Sequence, residues 1–184
     1  MQISSVPVAD TAVVREPSDL RLVLTIKKNQ RVIFRDTVAD GLAYTEYSEP
    51  QTQRLYPIWV PTGPSEGELL VAYNNRPSKD RARRFHIRGN TIIGVDTLLT
   101  FDGPARDLDH DGRPEYGGRA DYGEGASDSR GRALNFYNPV LYYELGPTGL
   151  ALDSALTRHQ AVAEYGAFHG YKYSERFSFP AKRP

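Results

Sequence analysis

The chain has 184 residues, no Cys, and equal numbers of basic and acidic side chains, 23 of each. That length suits one domain with a single core, and the lack of Cys excludes disulfides, thiolate catalysis and zinc–thiolate sites. Balanced charge gives no overall field toward nucleic acid or an anionic membrane, and no apolar run is long enough to span a bilayer as a helix.

Residues 1–18, with Pro7, Asp10 and Pro17 and little periodicity, read as an irregular N-terminal arm ahead of a single β-rich domain over 19–184. The arm lacks the basic and apolar regions of a signal peptide, so an exported form would have shed its leader. Leu20, Leu22, Leu24 and Ile26 alternate with Arg21, Val23, Thr25 and Lys27, the pattern of a half-buried strand. Lys28-Asn29-Gln30 turns the chain into a return strand through Val32, Ile33 and Phe34. Residues 36–53 are polar and turn-rich. A strand is expected over Leu55 to Val60, stopped by Pro61-Thr62-Gly63-Pro64.

Further strands are predicted over Glu68 to Asn74, Arg83 to Arg88 and Thr91 to Phe101. The stretch 102–136 holds seven Gly, eight acidic residues and five Arg with almost no aliphatics. A stretch of that length without core material is expected to be functional or metal-ordered. Pro139 to Leu145 and Leu150 to Leu152, joined by Gly146-Pro147-Thr148-Gly149, form a second hairpin. A short helix then spans about 153–164, capped by Asp153 or Ser154, with Leu156, His159, Val162 and Ala163 on one side. Phe177 and Phe179 mark a last strand. The fold class is therefore mainly β, an antiparallel sandwich or barrel with one short helix and a long calcium-ordered loop.

The loop's chemistry lies in Asp107-Leu108-Asp109-His110-Asp111-Gly112-Arg113-Pro114-Glu115. Calcium takes six to eight oxygen ligands in flexible geometry. Asp107, Asp109 and Asp111, at alternate positions of a curling chain, put three carboxylates around one centre. Gly112 permits the sharp turn, the Arg113 carbonyl adds a backbone oxygen, and Glu115 coordinates directly or through water. Without a cation these carboxylates repel one another. Asp121 or Glu124 is a candidate to close the shell.

This segment resembles the calcium loops of EF-hands and dockerins, and most closely the Asp-x-Asp-x-Asp-Gly-x-x-Asp/Glu loops of FG-GAP-type, integrin-like propeller repeats. It departs from the EF-hand at position 12, where Gly118 replaces a bidentate Glu, and at position 8, where Pro114 has no N–H to donate. The layout of an apolar strand (Ile92 to Phe101), the acidic loop, then Tyr142-Tyr143-Glu144-Leu145 resembles calcium-loop bacterial envelope proteins, including immunity proteins that look like periplasmic lysozyme inhibitors. That resemblance implies an extracytoplasmic setting and transfers no inhibitory residues.

His86, His110, His159 and His169 make no zinc spacing, and His110 is expected to point outward. Arg76, Lys79, Arg81, Arg83, Arg84 and Arg88 are expected on the solvated face of an edge strand, where charge blocks sheet-to-sheet association. Ser127 and Ser129 do not form a nucleophile elbow. Tyr116, Tyr122, Tyr137, Tyr142, Tyr143, Tyr171 and Tyr173 are expected as amphipathic strand residues with hydroxyls at the rim.

These readings converge on a calcium-binding extracytoplasmic β-domain (periplasmic, secreted or lipid-anchored). It is expected to be a non-enzymatic binding or inhibitor/immunity-type protein in which calcium is structural. A protein partner fits that role and nucleic acid does not. The alternative is a calcium-dependent enzyme acting on carbohydrate or cell wall through acidic residues of 115–128.

Overall fold

The computed structural model describes residues 2–7, 22–38, 55–73, 75, 77–123 and 125–180. The expected polar segment 36–53 therefore lies largely outside the described residues, as do Arg76 and Glu124. Among the described residues the fold is mainly β with antiparallel sheets and no closed barrel, consistent with the sandwich-like side of the expectation. No helix among the described residues is long and apolar enough to cross a membrane. The chain divides into two compact units, Met1–Thr100 with Pro147–Gly149, and Phe101–Gly146 with Leu150–Pro184.

The first unit holds β1 (Gln2–Pro7), β2 (Leu22–Lys28), β3 (Arg31–Val38), β4 (Ile58–Gly63), β5 (Glu66–Tyr73), β6 (Arg81–Arg88) and β7 (Thr91–Leu99). They form two sheets, in the orders β1-β2-β3 and β4-β5-β6-β7. The expected hairpin is β2–β3, and its turn residues Asn29 and Gln30 both take positive φ, 50° and 63°. That left-handed pair matches the twist of the flanking strands.

Between the two sheets Leu24 and Ile26 meet Leu69, Val71, Phe85 and Ile87. Phe34 packs edge-on against Phe85, with ring centroids 4.8 Å apart. The alternation read from sequence thus places the core side chains of β2, β5 and β6 correctly. β5 goes further, because Glu68, Leu70 and Ala72 on its other face are buried too.

Three expectations are corrected in this unit. The irregular arm begins instead with β1, paired antiparallel with β2 from Gln2↔Lys27 to Pro7↔Leu22. Nothing in its local pattern signals a pairing that spans some twenty residues of chain. Pro61 does not stop β4, which runs on to Gly63 through an irregularity after Pro61. β4 ends its sheet, so a residue without an N–H can sit there without breaking a shared ladder.

Nor is the basic stretch an edge. β6 lies inside its sheet, between β5 and β7, and its Arg83, Arg84 and Arg88 are paired with carboxylates. Arg83 bonds Asp36 at 3.0 Å and Arg88 bonds Glu66 at 2.8 Å. Arg84 lies opposite Asp96 on β7 and holds it at two points, 2.9 and 2.7 Å.

His86 joins this group, with Nε2 3.1 Å from Asp96 and Nδ1 3.3 Å from the buried Glu68 that faces it across β5. The Arg84 hydrogen bonds hold the Asp96 carboxyl below its ordinary range, against a burial effect that raises it and with help from His86. A carboxyl with a depressed folded-state pKa adds stability above its unfolded value, and that stability is lost as pH falls through the folded value. Asp96→Asn is therefore expected to destabilise near neutral pH. Urea unfolding should show the difference from wild type shrinking once pH drops below the ordinary aspartate value of 3.8.

The second unit contains β8 (Glu115–Arg119), β9 (Gly125–Ser127), β10 (Ala133–Tyr137), β11 (Val140–Gly146), β12 (Gly149–Leu152), α1 (Ser154–Tyr165) and β13 (Ser174–Pro180). Its sheets have the orders β12-β11-β8 and β13-β10-β9. The span 102–136 is thus not one loop, for β8, β9 and most of β10 lie inside it. Glycine-rich and polar, β8 and β9 lack the apolar alternation by which strands are read; β8 pairs outside the span with β11, β10 with β13, and β9 pairs with β10 within it. Tyr137 is not a rim residue but fully buried, with its hydroxyl donating to the Gly170 carbonyl at 2.8 Å.

The helix is where expected. Asp153 caps it by accepting the Leu156 N–H at 2.8 Å, and Gly166 closes it in the left-handed conformation at φ 80°. The buried stripe is Leu156, Thr157 and Ala161, while His159, Val162 and Ala163 are exposed, so the helix is rotated from the expected face. The reason is polar: the Thr157 hydroxyl accepts the Tyr142 N–H of β11 at 3.0 Å and turns its side of the helix to the sheet. Asp153→Ala is expected to cost about 1 kcal/mol, the usual worth of such a cap, measurable by urea unfolding.

Candidate metal centre

The site begins with a clasp. Arg106 and Glu115 exchange both backbone hydrogen bonds, at 3.0 and 2.8 Å, and so close residues 107–114 into a loop whose ends are fixed. β8 then continues from Glu115 in register with β11, and the Pro114 carbonyl accepts the Leu145 N–H at 3.0 Å. Pro114 has no N–H, yet its carbonyl still ties the end of the loop to a strand.

Inside the clasp the aspartates shape the backbone. The Asp109 carboxylate accepts the Asp111 N–H at 3.2 Å, Asp111 accepts that of Arg113 at 2.8 Å, and Asp107 accepts that of Gly112 at 3.2 Å. Gly112 sits at φ 92°, the left-handed turn anticipated for it. His110 is exposed, as expected, and also left-handed at φ 66°. The curl brings one carboxylate oxygen each from Asp107, Asp109, Asp111 and Glu115 to within 4.8 Å of one another.

Glu115 differs from the other three. They are exposed, whereas Glu115 is 1% exposed. Its Oε2 accepts the Leu108 N–H at 2.8 Å, but Oε1 is buried and has no hydrogen-bond partner. Burial raises the Glu115 pKa, the Leu108 N–H pulls it down, and the charges of Asp109, Asp107 and Asp111 raise it further. A buried acceptor left without a donor or cation carries its full desolvation cost. Four carboxylates converging on one point, one of them buried and unsatisfied, constitute a site that could hold a metal ion.

Arg113 reaches away from this group, its guanidinium bonding Glu144 at 2.7 Å. Glu144 lies directly opposite Glu115 on β11, so Arg113 neutralises the one carboxylate that would otherwise face Glu115 across the strands. Sequence reasoning assigned Arg113 only through its carbonyl and did not single out Arg106, Leu108 or Glu144. Their roles arise from pairing across the sheet and from the clasp, which no local spacing encodes.

The other described acids of 115–128 have other partners. Asp121 is not among the four converging residues; its carboxylate accepts the Tyr122 N–H at 2.8 Å. Asp128 organises a turn, accepting the Arg130 and Arg132 N–H groups and pairing with the Arg132 guanidinium at 2.6 Å. Glu124 lies outside the described residues. No family model, curated protein or solved structure matches the chain.

Proposed function

We propose that Asp107, Asp109, Asp111 and Glu115 bind a calcium ion, with the Arg113 carbonyl as a further oxygen ligand. The ion is structural: it neutralises the converging carboxylates and fixes the loop against β8 and β11. The observation that carries this reading is the buried Glu115 Oε1, which has no donor and shares the cluster with three exposed carboxylates. An all-oxygen donor set favours hard cations over zinc or copper. A curled loop with carboxylate and carbonyl oxygens suits calcium, which tolerates irregular shells, better than magnesium, which demands an octahedron.

Without a position-12 carboxylate the affinity belongs with extracellular modules, about 10⁻⁴–10⁻³ M. Only a calcium-rich compartment fills such a site, so we place the protein outside the cytoplasm. There it serves as a non-enzymatic binding or inhibitor protein of the immunity type, with a protein partner. Of the acids the enzymatic alternative would draw on, Glu115 belongs to the converging cluster and Asp128 is paired with Arg132, which favours the structural reading.

Isothermal titration with calcium, magnesium and zinc tests the ion assignment. One calcium site is expected in the wild type, with weaker magnesium binding, and none in Asp109→Asn. Absence of calcium heat in the wild type, or equal heat in the variant, would refute it.

A further inference from the structure

In the first unit one ring bridges two carboxylates on neighbouring strands. His86 on β6 has Nδ1 3.3 Å from Glu68 Oε1 on β5 and Nε2 3.1 Å from Asp96 Oδ2 on β7. A carboxylate accepts and does not donate, and a neutral imidazole has a single N–H. Both contacts are therefore hydrogen bonds only while the ring carries its second proton. A neutral ring that kept one of them would turn a nitrogen lone pair toward the other carboxylate.

Both carboxylates are held from other sides as well. Arg84, two residues before His86 on the same face of β6, grips Asp96 at 2.9 and 2.7 Å and comes within 3.7 Å of Glu68 Oε1. Glu68 is buried, and the backbone of Gly149, at φ 110°, lies so close that an added Cβ would fall 2.5 Å from Oε1. Arg88, the next residue on that face, is taken up by Glu66. Among the described residues the charged groups around the ring are thus Glu68, Arg84 and Asp96, and with a protonated His86 these four balance. The ring itself is 32% exposed, so water can deliver and remove the proton. The ladder is interrupted at this point. The β6–β7 register shifts between His86 and Ile87, which leaves Ile93 without a partner on β6, and β7 is the last strand of its sheet.

We propose that His86 is a proton-operated clasp on the edge of this sheet. Charged, it ties β7 to β5 across β6; neutral, it lets go of one carboxylate and loosens β7 around Ile93 to Asp96. The sign follows from the charge. A cation held by two anions in the folded protein adds stability in acid, and that stability is lost as pH rises and the ring gives up its proton. The clasp lies wholly within the first unit and does not depend on the metal loop.

The test follows backbone amide exchange of the full chain at two pH values, chosen so that ring nitrogen NMR of His86 shows the second proton present at one and lost at the other. Rates are corrected for the intrinsic effect of pH, and β7 amides are referred to those of the central strand β5. Protection of β7 is expected to fall about fivefold when the proton is lost, the scale of one charge-assisted hydrogen bond at a partly exposed site. His86→Gln cannot take up the proton and is expected to show the same β7 protection at both pH values. Loss of the ring proton with unchanged β7 exchange overturns the proposal, as does a fall in His86→Gln equal to that of the wild type. If His86→Gln does not fold, the wild-type comparison decides by itself.

Discussion

Calcium is expected to raise the melting temperature of the wild-type protein and to leave Glu115→Gln unmoved. A ligand that binds only the folded state stabilises it by mass action, about 2.7 kcal/mol when its free concentration is a hundred times the dissociation constant. For a chain of this size that corresponds to an upward shift of about 5–10 °C. The variant makes the test sharper than simple loss of binding, because its two effects have opposite signs. In chelator, Glu115→Gln removes a buried charge that sits against three aspartates, and its new N–H group can donate to them. It is expected to melt above the wild type there, and below it in saturating calcium. Differential scanning calorimetry in the two buffers reads both. A variant less stable than the wild type in both buffers by the same amount would point to ordinary packing damage and count against the ion.

Phe85→Ala is expected to have the largest effect on the first unit, a loss of about 3–5 kcal/mol. Phe85 is fully buried, packs edge-on with Phe34, and sits among Leu24, Ile26, Leu69 and Val71 where the two sheets meet. Truncation removes the aromatic contact and leaves a cavity that strands on both sides hold open, since their registers are fixed by long ladders. Val95, opposite Phe85 on β7, is 49% exposed, so a variant there is expected to change stability far less. Guanidinium unfolding of the two variants side by side checks the contrast.

What the sequence disclosed follows the range of the interactions involved. Alternation over Leu24 and Ile26, or over Phe85 and Ile87, is a local record of which face is buried, and the structure keeps it. The Asp153 cap and the Gly112 turn are local as well and are found as read. β1 and β8 were not legible, because their reason for being strands lies in distant partners, and β9, only three residues of Gly, Ala and Ser paired with nearby β10, has no apolar pattern of its own.

The candidate metal site divides along the same line. Its aspartates stand in the sequence as a spacing. The property that separates Glu115 from them, burial without a donor, exists only once β8 has paired with β11 and Arg106 has closed the loop. The pairing of the basic run with Asp36, Glu66 and Asp96 was likewise invisible, since those acids come from three other strands.

The uneven exposure of the four carboxylates has a kinetic meaning. A cation seated among them is anchored from beneath by Glu115 and meets water through Asp107, Asp109 and Asp111. Its release would pass by those three exposed side chains and would not need the clasp or the β8–β11 ladder to open. Exchange then runs at the pace of exposed side-chain and loop motion, far faster than unfolding. On the calcium reading proposed above, occupancy would follow the calcium level around the protein, and the loop would stiffen or loosen without the fold coming apart.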